Sequence, residues 1–168
     1  EAAIDILRKK GQKLANKRAD REANEGVVVA KTTDDGKKGI IINLSCETDF
    51  VAKNDDFVKA ANDLADLALN NDINSLDQFL DTDYNGVPVK SAVEEMIGKI
   101  GEKIEVSSFE RVEDEQVVPY IHAGNKIGVL VGMNKNGSED ISQVGRDIAM
   151  QIAAMSPVAV DESEVPQE

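Results

Sequence analysis

The sequence predicts an α+β fold with antiparallel sheets, flanking helices and two small core subdomains. Short apolar runs of strand type occur in pairs separated by turn residues, as in hairpins. Segments with apolar residues at helical spacing follow one another between these pairs, without regular βαβ alternation. The length of 168 residues suits one good core, or two small cores packed together.

The first segment, residues 2–21, is predicted to be a polar helix that connects the body to something upstream. Ile4 and Leu7 share one face, the remainder is strongly polar, and Gly11 is predicted to interrupt the helix. Such a helix has little apolar surface to bury, so residues 1–24 are predicted to form a connecting helix. The chain lacks an initial Met, and we expect it to be a piece of a longer protein.

A hairpin is predicted next. Val27–Ala30 and Ile40–Leu44 are strand-type runs, and Asp34–Lys38 between them has the composition of a hairpin turn. A clear amphipathic helix then carries apolar residues from Phe57 to Ala68 at helical spacing, with Asn54 or Asp55 as its N-cap.

Two more helices are predicted from capping patterns. Ser75 with Gln78 resembles a capping box for a short helix, and Ser91 with Glu94 predicts the capping box of a longer one. The longer helix is predicted to stop at Gly101, because glycine favours helix ends.

Strand signals return after this helix. Ile104–Phe109 alternates with period two, and Val117–Ile121 and Ile127–Met133 are two further runs joined by a short polar segment. The charged stretch at 113–116 is predicted to separate a first core subdomain, residues 25–115, from a partial second one, residues 116–168.

The last predicted helix has a single apolar face and ends at Pro157. That face carries Ile141, Val144, Ile148, Ile152 and Met155. A short strand at Val158–Val160 is predicted before an acidic tail.

Composition narrows the classes of function. The net charge is −13, with 32 acidic and 19 basic residues, so nucleic acid is not expected as the main partner. The basic residues near the N-terminus indicate either a docking surface or a solvated helix, and the solvated helix is favoured: Arg8, Lys9, Lys10, Lys13, Lys17, Arg18 and Arg21.

The single cysteine, Cys46, allows no internal disulfide and suits a reducing compartment, so a cytoplasmic location is expected. No apolar stretch approaches the roughly 20 residues that a membrane span needs, and the N-terminus does not have the pattern of a signal peptide.

Common catalytic and nucleotide-binding motifs are absent from the sequence. It contains no phosphate-binding loop, no dinucleotide fingerprint and no nucleophile elbow, and one His with one Cys cannot form a common zinc site. We therefore expect no enzyme activity, no cofactor, no metal and no direct nucleotide binding. Two alternatives remain, a thiol enzyme that uses Cys46 with His122, and an RNA-associated or structural module.

The most informative segment is Thr48–Lys53, between a strand and the amphipathic helix. In one interpretation Thr48 or Asp49 caps a helical turn and Phe50 packs into the local core. In the other, Phe50 projects from a rigid corner as an anchor for a partner protein. Physical reasoning alone favours the first interpretation.

The order of several short blocks resembles the elongation factor Ts family of bacteria. The segment Thr48–Lys53 is similar to the family signature Thr-Asp-Phe-Val-Ala-Lys. Further similar blocks occur in the family's order along nearly the whole chain: Ile6–Gly11, Gly39–Ile41 with Cys46 and Glu47, Lys99–Glu102, Tyr120–His122 with Ile127–Val131, and Ile148–Ala154. The family's N-terminal helical module and the part after the late helix have no counterpart here.

The resemblance implies a guanine-nucleotide exchange factor that binds the GTPase elongation factor Tu and promotes GDP release. Asp49 and Phe50 match the pair that wedges into the GTPase domain near its magnesium and phosphate site, so Phe50 is expected to be exposed. The full set of expected partner-binding residues is Thr48, Asp49, Phe50, Val51, Ile100, His122 and Arg18. An exchange factor needs only to bind the nucleotide-free partner more tightly than the GDP-bound one, which accounts for the missing catalytic motifs.

Overall fold

The computed structural model describes residues 2–134 and 140–166, and the side chains from residue 5 onward. Helices and small antiparallel sheets alternate irregularly, which confirms the predicted α+β class. The helices are α1 (Ala2–Lys17), α2 (Asp49–Ala52), α3 (Asp55–Asn70), α4 (Leu76–Asp81), α5 (Val89–Ile100) and α6 (Ser142–Met155), with a 3₁₀ turn at Glu162–Glu164. The strands are β1 (Glu25–Thr32), β2 (Lys38–Cys46), β3 (Asp83–Tyr84), β4 (Val87–Pro88), β5 (Ile104–Glu113), β6 (Gln116–Ile121) and β7 (Gly128–Met133).

The central sheet is antiparallel and has the strand order β1-β2-β5. The predicted hairpin is confirmed, with Val27 opposite Leu44 and Val29 opposite Ile42. Because successive side chains of a strand point to opposite faces, these four residues share one face of the sheet. That face and the helices α3, α4 and α5 enclose the larger core, which also holds Phe57, Leu64, Phe79, Val93, Ile97 and Phe109.

The capping predictions have mixed outcomes. Asn54 is the N-cap of α3, since its side chain accepts hydrogen bonds from the backbone N–H groups of Asp56 and Phe57. Ser75 caps α4 as predicted. The capping box at Ser91 is wrong, because α5 already begins at Val89, after Pro88.

Pro88 explains this earlier start. Its ring fixes a φ suited to helix entry, here −59°, and it has no N–H group that would need a partner. The N–H of Val89 donates to the carbonyl of Thr82, and the Glu94 carboxylate accepts a hydrogen bond from Gln12 of α1 instead of capping α5.

The helix α1 differs from the prediction in its length and in its packing. It ends at Lys17 and continues through Gly11, which does not interrupt it. Gly11 and Gly98 lie where α1 crosses α5, and a Cβ on Gly11 would lie 1.8 Å from the carbonyl oxygen of Glu94. Leu14 packs against the larger core, so α1 is docked on the body, and its predicted role as a connecting helix stays a prediction. The side chain of Ile4 lies outside the described residues.

The hairpin β6–β7 covers the other face of the central sheet. Its close approach needs glycine, since a Cβ on Gly128 would lie 2.6 Å from Val28 and 2.7 Å from Ile41. The backbone N–H of Val117 donates to the carbonyl of Gly36, which ties the start of β6 to the turn between β1 and β2. The predicted division into residues 25–115 and 116–168 stays a prediction.

The helix α6 covers the outer side of this hairpin through small residues. Gly145 and Ala149 are buried against it, whereas Val144 and Ile148 of the predicted apolar face are exposed. A Cβ on Gly145 would lie 2.5 Å from the Met133 side chain, so the helix sits too close for large residues on that side. The predicted strand at residues 158–160 is wrong, as this segment only bends.

Candidate functional site

The segment between β2 and α3, residues 47–53, forms a tight corner that we call the Phe50 corner. Thr48 caps the single turn of α2, because its side-chain oxygen accepts a hydrogen bond from the Val51 N–H at 3.4 Å. The aromatic ring of Phe50 points outward and its residue is 84% exposed. The expectation that Phe50 is exposed is therefore confirmed, and the interpretation that it packs into the local core is wrong.

The exposure of Phe50 follows from helical geometry. Neighbouring residues of a helix lie about 100° apart, so one turn cannot bury every side chain. Val51 and Ala52 are partly buried against the larger core. Phe50, which precedes them, is left on the solvent side of the turn.

A largely apolar groove of about 560 Å³ runs from Phe50 towards the end of α5. Its apolar lining includes Val51, Phe57, Met96 and Ile100. Ile100 is exposed at 40%, so two uncovered apolar side chains stand at the borders of one groove. The structure thus brings Ile100 together with Phe50 and Val51 at one groove, and the role of these residues in binding a partner stays a prediction.

Asp49 lies on the other side of the corner. Its carboxylate accepts a hydrogen bond from Lys53 Nζ at 2.7 Å, and this bond lowers the pKa of Asp49 below its ordinary value. Asp49 also lines a cleft of about 440 Å³ together with Gly124, Asn125 and Lys126 of the turn between β6 and β7.

His122 belongs to that same turn, which is docked on β1 by a hydrogen bond from the Val28 N–H to the Asn125 carbonyl. The imidazole itself is exposed, and its Nδ1 lies 3.0 Å from the Tyr120 hydroxyl oxygen. His122 is therefore carried by a hairpin turn that reaches the Phe50 corner, but its imidazole hydrogen-bonds to Tyr120.

Arg18 is held by an acidic residue of the Phe50 corner. It donates to Glu47 at 2.5 Å, and Arg21 donates to the same carboxylate at 3.1 Å. Arg18 thus fastens the chain after α1 to the corner, and its charge is matched within the protein.

Glu47 also accepts a hydrogen bond from the backbone N–H of Lys103, at 2.6 Å. Burial alone would raise the pKa of Glu47, but the bonds from Lys103, Arg18 and Arg21 outweigh it and lower the pKa. The carboxylate is therefore firmly ionised at neutral pH.

Glu102 is the residue that sequence reasoning missed. Its carboxylate accepts hydrogen bonds from the Thr48 hydroxyl at 2.7 Å and from the Thr48 N–H at 3.1 Å. The available signal was its place directly after Gly101 in a block that resembles the family, but no local pattern links it to Thr48.

The environment of Cys46 opposes a role as a nucleophile. The thiol is fully buried and donates to the Thr48 carbonyl at 3.2 Å. Burial raises its pKa to about 11, so the reactive thiolate is scarce at neutral pH.

Two kinds of feature are absent from the part of the chain that the structure describes. Within residues 2–134 and 140–166, no three His, Cys, Asp or Glu side chains are grouped as a metal site would require. Among the described helices, none combines the length and apolar character needed to cross a membrane.

Comparison with known proteins gives consistent matches. The family described as "Elongation factor TS" matches residues 47–168. Elongation factor Ts of Christiangramia forsetii is 50% identical over 99% of this chain and 60% of its own length. Elongation factor Ts of Chloroherpeton thalassium is 44% identical over 100% of this chain and 60% of its own length. That of Rhodopirellula baltica is 46% identical over 100% and 51%, so the chain spans roughly half to three fifths of these relatives.

Proposed function

The chain belongs to the elongation factor Ts family, and from this membership we propose that it acts in translation elongation as a guanine-nucleotide exchange factor for elongation factor Tu. In this proposal the chain binds the GTPase through the Phe50 corner and promotes the release of GDP. The chain itself binds no nucleotide and makes no covalent bond.

The observation that carries the proposal is the exposure of Phe50 on a corner whose neighbours are fixed. The residue is 84% exposed, and full burial of a Phe side chain in a partner is worth about 1.5–3 kcal/mol. Aromatic anchors that enter a pocket of the partner are typical hot spots of protein interfaces. Ile100, across the apolar groove, offers a second apolar contact beside it.

The proposed mechanism is a wedge. Phe50 enters the GTPase domain between structural elements that also shape its magnesium and phosphate site, and the Asp49 carboxylate accompanies it. The wedge fits the nucleotide-free form better than the GDP-bound form. By linkage, the exchange factor therefore lowers the affinity of the GTPase for GDP by the same factor by which GDP lowers its affinity for the exchange factor. Such differential binding requires no general acid or base.

The test is the release of fluorescent GDP from elongation factor Tu, measured with the 168-residue chain and with Phe50→Ala. We expect the chain to accelerate release and the variant to need about 10- to 100-fold more protein for the same rate, as the lost burial of 1.5–3 kcal/mol implies. Met155→Ala is the control for the loss of an exposed apolar side chain, since Met155 is 73% exposed on α6 and lines neither of the two clefts at the corner, and it should leave the rate unchanged.

Two outcomes would contradict the proposal. Equal acceleration by the chain and by Phe50→Ala would refute the wedge. No acceleration, together with no binding to nucleotide-free elongation factor Tu, would refute the exchange function of this chain.

A further inference from the structure

We propose that Glu102 is a positioning residue, which holds the Phe50 corner in a fixed relation to Ile100 and so sets the spacing of two apolar anchors. The inference rests on the proposed function for its effect on binding, but its structural part can be tested without a partner. Two hydrogen bonds between side chains and backbone, just beyond the last residue pair of β2 and β5, carry this proposal.

The strands β2 and β5 pair as far as Cys46 and Ile104. Over the next two residues beyond this pair, two carboxylates replace backbone carbonyls as acceptors. Glu47 accepts the N–H of Lys103 at 2.6 Å, and Glu102 accepts the N–H of Thr48 at 3.1 Å. The two chain segments thus exchange one side-chain-to-backbone bond in each direction.

This exchange matters because α2 cannot hold its own shape. It has four residues, far below the length at which a helix is stable in isolation. Its capping bond from Val51 to Thr48 is long, at 3.4 Å. The Thr48 hydroxyl donates its proton to Glu102 at 2.7 Å, which leaves its oxygen lone pairs free to accept from Val51.

Glu102 is also close in the chain to the second anchor. The helix α5 ends at Ile100, and Gly101 turns the chain with a left-handed φ of +83°. Glu102 follows at once, so the carboxylate that holds Thr48 is only two residues from Ile100. One side chain therefore connects the turn that carries Phe50 to the helix end that carries Ile100.

The functional consequence is preorganisation. If the corner moves freely, part of the binding free energy is used to order it, and affinity falls although every contact residue is still present. We expect Glu102→Ala to weaken binding to nucleotide-free elongation factor Tu about 10-fold. Glu102→Gln keeps an acceptor for the Thr48 N–H and should restore most of that loss.

A double-mutant cycle separates positioning from general destabilisation. Affinity for nucleotide-free elongation factor Tu is measured for the chain, Glu102→Ala, Phe50→Ala and the double variant. If Glu102 acts through Phe50, its effect should shrink to less than about 2-fold in the Phe50→Ala background. Equal effects in both backgrounds would overturn the proposal. Glu110→Ala, which removes an exposed carboxylate from β5, the strand that follows Glu102, is the matched control and should change nothing.

The partner-free test uses the absence of Trp from the sequence. Phe50→Trp introduces a single Trp at the corner, which can be excited selectively over Tyr84 and Tyr120, and its time-resolved anisotropy reports local motion. Adding Glu102→Ala should increase the amplitude of fast motion of this indole, with an unchanged circular dichroism spectrum, while Glu102→Gln should not. Unchanged motion in the Glu102→Ala protein would overturn the positioning role, even if the chain failed to bind elongation factor Tu at all.

Discussion

At the scale of single residues, the Phe50 corner combines one uncovered apolar side chain with several satisfied polar ones. Thr48 is both donor and acceptor, and Glu47 binds two arginines and a backbone N–H group. Such a network fixes the backbone, because each group would lose a partner if the corner moved. Phe50 can remain exposed without disordering the corner because polar bonds and the packing of Val51 hold its neighbours.

Glu47 gives the first prediction at this scale, a pH dependence of stability. Its pKa is lowered in the folded protein from an ordinary value of 4.5, so the unfolded chain takes up its proton at higher pH. The stabilisation is therefore complete above pH 4.5 and is lost as the pH falls through the folded pKa. Glu47→Gln should cost about 2 kcal/mol of unfolding free energy at pH 7, typical of hydrogen bonds to a charged group, and progressively less as the pH falls below 4.5.

Urea unfolding of both proteins between pH 7 and pH 3 measures this difference directly. Glu110→Gln serves as the control for a change of net charge alone, since that carboxylate is exposed on β5. A gap between the Glu47→Gln protein and the unmodified chain that stays constant with pH would contradict the prediction.

The residues of the Phe50 corner could be predicted from the sequence, but Glu102, which holds the corner in place, could not. The signature at Thr48–Lys53 and the apolar Ile100 were identified from short blocks of sequence. The bond between Thr48 and Glu102 spans 54 positions and depends on the pairing of β2 with β5, which no local pattern specifies. Local physical reasoning also favoured a buried Phe50, because it counts the gain from burial but not the geometry of a one-turn helix.

At the scale of elements, glycine decides how closely the helices approach. Gly11 and Gly98 face each other where α1 crosses α5, and each would place a Cβ into the backbone of the other helix. Sequence reasoning treated Gly11 as a helix breaker because glycine has low helix propensity. In the structure its missing side chain permits a close crossing, and that packing outweighs the propensity.

The crossing predicts the effect of Gly98→Ala. Alanine is about 1 kcal/mol better than glycine within a helix, so an effect of propensity alone would stabilise α5. The new Cβ would, however, lie 2.6 Å from the carbonyl oxygen of Leu7, and backbone must move to admit it. We expect a net loss of about 1–3 kcal/mol, or undocking of α1, as overpacking usually causes.

Urea unfolding measures the loss, and limited trypsin cleavage near Arg18 and Arg21 reports whether α1 has undocked. Lys10→Ala, on the exposed side of α1, should leave both measurements unchanged. A Gly98→Ala protein that is more stable than the unmodified chain would show that the crossing is looser than described.

The same reasoning explains the error at α6. Its apolar residues were assigned to one buried face, but Gly145 and Ala149 make the closest contact with β6 and β7. Small residues fit the narrow space, and the larger Val144 and Ile148 are left towards solvent. Periodicity identified the helix and its extent, but it could not show which side of a mixed helix meets the sheet.

At the scale of the whole molecule, the central sheet is covered on both faces. Helices α3, α4 and α5 lie on one side, and the hairpin β6–β7 with α6 lies on the other. The second side has a smaller core, in which Val117, Val118, Val131 and Ala149 are buried. A two-stranded hairpin is at best marginally stable alone, so this second layer depends on the sheet beneath it.

This dependence predicts an asymmetric response to mutation. Gly128→Leu forces a large side chain against Val28 and Ile41, where even a Cβ would lie within 2.7 Å. We expect the hairpin and α6 to lift from the sheet while the larger core stays folded. Hydrogen exchange followed by mass spectrometry should then show loss of protection in β6, β7 and α6, with protection kept in β1, β2 and α3.

A substitution in the larger core should have the wider effect. Phe79→Ala opens a cavity in the larger core, where Phe79 is fully buried and stacks on Phe109. Its cost of about 3–5 kcal/mol should lower protection in both layers, since the hairpin cannot remain folded without the sheet. If Gly128→Leu instead lowered protection in α3 as much as in β7, the two layers would unfold as one cooperative unit. The division at residues 113–116 would then mark a change of layer within a single domain rather than a boundary between subdomains.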